Sequence, residues 1–182
     1  GILRFLERAE NLKNTLRSSR TSAGRRESAA EHSWRLCLLA MVCSKMFPDA
    51  DLETMLKIAV VHDLGEALCG DVPAPLQKDG DDRAGREREA VMDLCSSLPS
   101  DLAEELLGLW DAYDRGSSRE AVVVKALDKL ETLSQHNQGM NYGEIDYRFN
   151  LDYGTTHTCL VPELDDMRAA VDARTAANAR GR

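Results

Sequence analysis

The string Ala59-Val60-Val61-His62-Asp63-Leu64-Gly65-Glu66 places an adjacent imidazole and carboxylate inside an otherwise apolar helical pattern. A buried carboxylate without a partner costs several kcal/mol or takes up a proton, so Asp63 demands a metal, an arginine or several donors. Alone, a His-Asp pair reads as a hydrogen-bonded pair in a core. Two further residues widen the pattern. His32 opens one helix and Asp128 sits inside another, each beside apolar neighbours. His32, His62, Asp63 and Asp128 together offer two imidazoles and two carboxylates, which suits one divalent transition-metal ion with positions left for water or substrate. Glu66 follows His62 by four residues, on the same face if the helix continues, where its carboxylate could take a proton from water. A buried salt bridge or a helix-end charge is the plainer account of Glu66. Glu31 reads equally as a capping partner of Ser28, and Glu131 as a solvated or helix-pairing charge.

The elements that must position these residues are helices. Apolar residues recur with helical period almost throughout and no strand alternation is sustained, so the fold class is all-α, a single-domain bundle of about seven helices spanning 1–182. The spacing predicts helices over 2–17, from Ser28 to about Met46, from an Asp51 cap to about Leu68, over 82–97 and from Ser100 to about Asp114. A sixth opens on a Ser117/Glu120 capping box and ends near Gly139, and its broad apolar face (Val122, Val123, Ala126, Leu127, Leu130, Leu133) puts it at the centre. A last helix covers about 162–178, starting at Pro162. Residues 18–27 read as a polar, basic loop and 139–160 as a long loop without helical period, a length that is usually functional or mobile.

The 182 residues carry 23 Lys+Arg against 31 Asp+Glu, a net charge of −8. Nucleic-acid polymers and anionic membranes would work against that field, and an anionic ligand needs a local positive site. Residues 17–26 supply one, with Arg17, Arg20, Arg25 and Arg26 and no acid among them. The longest apolar run, Leu36 to Cys43, is far shorter than the roughly 20 residues that span a bilayer. Cysteines at 37, 43, 69, 95 and 159 are odd in number and lack CxxC spacing, which points to a reduced, cytoplasmic chain. The chain opens on Gly1, and Ile2 to Arg8 reads as an amphipathic helix rather than a signal peptide, so native residues before Gly1 are expected.

The order His32, His62-Asp63, Asp128 resembles the H…HD…D signature of the HD-domain metal-dependent phosphohydrolases. The strings Glu27-Ser28-Ala29-Ala30-Glu31-His32-Ser33, His62-Asp63-Leu64-Gly65-Glu66 followed by Gly70-Asp71-Val72-Pro73, and Val124-Lys125-Ala126-Leu127-Asp128-Lys129-Leu130-Glu131 are similar to the branch holding the 5′-deoxynucleotidases, over roughly residues 5–135. The resemblance implies that His32, His62, Asp63 and Asp128 bind one divalent ion (Mn, Co, Fe, Ni or Zn), that Glu66 orients the attacking water, that Asp71 contacts the substrate near its sugar and leaving oxygen, and that Arg17 contacts the phosphate. It also implies a homodimer.

The expected reaction is hydrolysis of a phosphate monoester, with a nucleoside 5′-monophosphate as the substrate the resemblance points to. That branch places a tryptophan after the phosphate-contacting arginine, whereas Ser18 stands here; a serine leaves room for a 2′-hydroxyl and can hydrogen-bond it. Tyr142 or Tyr147 from the long loop could fill the gap instead. Two other classes share the signature: di-iron oxygenases, which need further histidines such as His136 or His157, and nucleotide sensors that have lost turnover. The four histidines lie at 32, 62, 136 and 157, none between the His-Asp pair and Asp128, and retention of Glu66 argues for turnover.

Overall fold

The computed structural model describes residues 1–78, 80–141 and 143–181. Among them, seven helices run eight residues or longer: α1 (Ile2–Ala9), α2 (Ala29–Cys43), α3 (Leu52–Val61), α5 (Arg83–Cys95), α6 (Ser100–Arg115), α7 (Arg119–Gln138) and α10 (Asp165–Arg180). Three shorter ones, α4 (Glu66–Cys69), α8 (Tyr147–Asp152) and α9 (Thr155–Thr158), lie between them. Side-chain caps start five of these ten helices. Ser28 caps α2 through the Glu31 amide while the Glu31 carboxylate returns to the Ser28 amide, a complete capping box. Asp51, Asp82 and Asp146 cap α3, α5 and α8 by accepting from first-turn amides, without the reciprocal bond of a box.

α7 is the axis of the bundle. Val123, Val124, Leu127, Leu130 and Leu133 are buried and join one apolar cluster with Leu36 and Ala40 of α2 and Met55 and Ile58 of α3. Each such side chain contributes about 1.5–3 kcal/mol of transfer free energy, an upper bound against an extended unfolded chain. α2, α3 and α7 pack against one another pairwise, so the polar residues on their facing sides converge. A second cluster holds Leu12, Leu64, Val91, Leu94 and Trp110 under α5 and α6.

The structure departs from the sequence expectations at five places. The first helix ends at Ala9, and after a 3-10 turn the chain forms β1 (Leu16–Arg20), paired antiparallel with β2 (Arg26–Ser28) where a helix end and a loop were expected. The buried residues of this hairpin are polar: Ser19 donates to Glu27 at 2.8 Å, so no apolar alternation marks the strands. α3 stops at Val61 instead of reaching Leu68; His62 to Gly65 form a turn, and α4 begins at Glu66. A Cβ at Gly65 would stand 2.7 Å from the Glu87 carbonyl oxygen, so α5 approaches this turn as closely as glycine allows. Pro99, without a side-chain bond, holds the cap position before α6. Ser118 rather than Ser117 caps α7, and Glu120 accepts the Asp51 amide at 3.1 Å instead of closing a box. The 139–160 segment contains α8 and α9.

Candidate active site

Four elements bring the candidate residues together. His32 comes from the first turn of α2, His62 and Asp63 from the turn that ends α3, Asp128 from the middle of α7 and Arg17 from β1. His32, His62 and Asp63 each offer a ligand atom within 4.8 Å of the others. Asp63 Oδ2 is the meeting point: His62 Nε2 lies 3.1 Å away, His32 Nε2 3.8 Å and Arg17 Nη1 3.4 Å. Asp128 stands next to this group, with Oδ1 3.0 Å from His32 Nε2, while Oδ2 accepts from the Tyr113 hydroxyl and the Lys129 ammonium, each at 2.7 Å.

The orientation of the imidazoles is set from behind. His62 Nδ1 donates to the Ala59 carbonyl at 2.9 Å. His32 Nδ1 donates to the carboxylate of Glu131, which is buried beside Arg35. Both Nε2 atoms are buried yet lack hydrogen-bond geometry to any partner among the described residues, despite the nearby carboxylate oxygens. Two orphaned imidazole nitrogens converging on carboxylates fit a divalent cation, which would satisfy all of them at once.

The electrostatics agree. Burial and Arg17 disfavour a charged His32, but Glu131 and Asp128 outweigh them and raise it to about 10. Burial pushes Asp63 up, yet His62, His32 and Arg17 hold its carboxyl well below the usual range. Carboxylates that favour a proton on imidazole favour a metal ion in its place.

Around this centre opens a cleft of about 730 Å³, lined among others by Arg17, Ser18, Glu66, Asp71, Lys125 and Lys129. Glu66 is buried, with Oε2 unpartnered and Oε1 3.8 Å from Arg83 Nη2. It reaches the cleft from the start of α4 rather than from a continuous helix shared with His62. Burial, then Asp63 and Asp71, push its carboxyl up to about 10. Arg17 also donates to Thr132 at 3.1 Å. Of the other arginines in the basic segment, Arg20 pairs with Glu144 and Arg25 with Glu31, while Arg26 lines the cleft.

His136 lines the cleft, and its Nδ1 accepts from Asn150 at 3.0 Å. His157 sits on α9 outside the lining. Tyr147 is buried with its hydroxyl donating to the His136 carbonyl, and Tyr142 lies outside the described residues. The loop aromatics that line the cleft are instead Phe149 and Tyr153. Sequence reasoning missed these two, Tyr113 and the role of Glu131. Only Glu131 carried a signal, an acid three residues after Asp128 and so one turn along the same buried face.

Comparison with known proteins agrees with this geometry. The HD domain family profile matches residues 9–168, which extends past the 5–135 stretch that carries the motifs. A 5′-deoxynucleotidase of Mus musculus is 33% identical over 140 residues, covering 76% of this chain and 69% of its own. A 5′-deoxynucleotidase of Schizosaccharomyces pombe is 35% identical over 141 residues, 74% of this chain and 70% of its own. A Magnetospirillum magnetotacticum crystal structure, described as a predicted metal-dependent phosphohydrolase, superposes with a TM-score of 0.78 at 25% identity, covering 98% of this chain and 94% of that one. With its fold, its orphaned imidazoles and these relatives in agreement, the chain belongs to the HD-domain family of metal-dependent phosphohydrolases, in the branch that holds the 5′-deoxynucleotidases.

Proposed function

We propose that this chain is a phosphomonoesterase that hydrolyses nucleoside 5′-monophosphates, deoxy and ribo, to nucleoside and phosphate, with residues 1–182 acting as one domain. The observation that carries the reading is the convergence of His32 Nε2, His62 Nε2 and Arg17 Nη1 on one oxygen of Asp63. That convergence supports reading the two imidazoles and Asp63 as cation ligands and Arg17 as the phosphate-binding guanidinium.

In this reading His32, His62, Asp63 and Asp128 hold one divalent ion. Such an ion lowers the pKa of water and offsets charge on phosphoryl oxygens. Glu66, a cleft-lining residue whose Oε2 has no hydrogen-bond partner among the described residues, orients the water and takes its proton. Burial and the Asp63 and Asp71 carboxylates favour its neutral form, and the charge of a bound cation would oppose that shift, so that Glu66 ionises and serves as base when the ion is held. Arg17 neutralises the phosphoryl oxygens, and its bonds to Asp63 and Thr132 hold the guanidinium in place before substrate arrives. Asp71, also raised by burial, and Ser18 both line the cleft; in this reading Asp71 would serve the leaving oxygen and Ser18 would meet the sugar. A metal-supplemented screen of phosphate esters tests the assignment: nucleoside monophosphates should release phosphate, and turnover confined to other esters would refute it.

No helix among the described residues is long and apolar enough to cross a membrane, and the five cysteines are free, which supports a reduced cytoplasmic setting. For the oligomer we propose a homodimer. Trp34, Leu38, Met41 and Val42 are exposed at helical spacing along α2, an apolar stripe that a second copy would cover. Val42→Glu should then reduce the mass seen by light scattering from two chains to one, and a wild-type mass of one chain would refute the dimer.

A further inference from the structure

One wall of the cleft takes no part in the phosphate chemistry. α8 and the turn after it bring Phe149 and Tyr153 to the lining, with ring centroids 5.8 Å apart and planes tilted by 32°. Phe149 is 39% exposed, whereas Tyr147 and Asn150 on the same short helix are buried. The helix is fixed from several sides. Asn150 donates to His136 Nδ1 at 3.0 Å, and the Tyr147 hydroxyl donates to the His136 carbonyl at 2.8 Å. From α10, buried Arg168 donates to the carbonyls of Leu151 at 3.0 Å and Tyr153 at 2.9 Å. Gly154 completes the anchoring: its φ is +73° and a Cβ there would stand 2.5 Å from Lys129 Cβ, so the chain lies directly on α7.

This anchoring sets the aromatic pair one side chain away from the proposed metal centre. Lys129 Nζ donates to Asp128 Oδ2 at 2.7 Å and lies 5.5 Å from the centroid of the Tyr153 ring. The other rings of the lining are committed elsewhere: His62 lies against Asp63, and His136 is bonded to Asn150. Trp110 is 3% exposed in the core, and Tyr113 is bonded to Asp128 and packed edge-on against His62. Among the described residues, Phe149 is therefore the cleft ring with an open face, on a helix held still, beside a centre that would hold the phosphate.

An open aromatic face in a polar cleft matches the part of a nucleotide that the charged residues leave unrecognised. We propose that Phe149, backed by Tyr153, is the surface on which the base of the nucleoside monophosphate stacks. The inference rests on the nucleotidase reading above. Stacking needs only a π face, so it raises affinity for every base and leaves base identity loosely read.

Steady-state kinetics on the metal-loaded Phe149→Ala and Phe149→Tyr variants test the proposal. Phe149→Ala should raise KM for AMP and dAMP about 10-fold or more, the usual scale for losing a base-stacking ring, and leave kcat within about twofold. Competitive inhibition by inorganic phosphate should stay unchanged, and Phe149→Tyr should restore KM. An unchanged KM overturns the proposal, and so does a rise in the inhibition constant of phosphate equal to the rise in KM, because that reports general damage to the site. If the wild-type protein releases no phosphate from any nucleoside monophosphate, the nucleotidase reading itself fails.

Discussion

Glu131 accepts a hydrogen bond from Nδ1 of His32 in the interior of the bundle, between side chains 99 positions apart in sequence. A carboxylate behind an imidazole fixes the ring and makes its far nitrogen a better ligand. That nitrogen, Nε2, is the atom that faces Asp63 and Asp128. Replacing Glu131 should therefore act on the metal rather than on the phosphate. Glu131→Gln should weaken metal affinity about 10- to 100-fold, read by chelator competition with the fold verified by circular dichroism. Unchanged affinity would show that Glu131 is only a core charge.

Glu66 and Asp128 should separate by phenotype. Glu66→Ala should keep its metal and lose activity by roughly 10²-fold or more, the scale of a general base. Asp128→Ala should lose metal occupancy first and activity with it. Metal analysis paired with turnover at saturating metal distinguishes the two, and full turnover of metal-loaded Glu66→Ala would remove Glu66 from its role.

The capping box of Ser28 and Glu31 was legible because its partners are three residues apart. So were His32, His62, Asp63 and Asp128, polar residues that break apolar helical runs. The β1–β2 hairpin was not, because its buried side chains, Ser19 and Glu27, satisfy one another and leave no apolar period to detect. The break after Val61 was hidden for a different reason. Gly65 is called for by the approach of α5, which local sequence does not encode. Glu131 read as a solvated or helix-pairing charge until the packing of α2 on α7 supplied His32 as its partner, and Tyr113 carried no signal until α6 brought its hydroxyl to Asp128.

Metal removal should make stability pH-dependent. The folded His32 is raised from 6.5 to about 10, so the stability it adds is complete below pH 6.5 and is lost as pH rises through 10. Glu66 is raised from 4.5 to about 10, so between those values the folded chain binds a proton the unfolded chain does not, and stability again falls as pH rises. The two slopes share a sign from pH 6.5 to 10. Asp63 and Asp128, both lowered, stay ionised there and add no slope. The Tm of chelator-stripped protein should drop from pH 6.5 to 9, and that of metal-loaded protein should drop less. A stripped protein that gains stability over this range would contradict the assignment.

Sugar discrimination should be weak. Ser18 lines the cleft beside Arg17, and a serine there would leave room for a 2′-hydroxyl that a bulky ring would exclude. The kcat/KM values for dAMP and AMP should differ by less than about 100-fold, or about 2.7 kcal/mol. A larger preference for the deoxy form would mean that another group closes the space beside Ser18.

The most direct measurement is a titration of stripped protein with a divalent transition metal, following phosphate release from a nucleoside 5′-monophosphate. Activity should rise from a negligible baseline and saturate at one ion per chain, and His62→Ala should fail to reach it. Saturation at two ions per chain, or full activity in the stripped protein, would contradict a single ion held by His32, His62, Asp63 and Asp128.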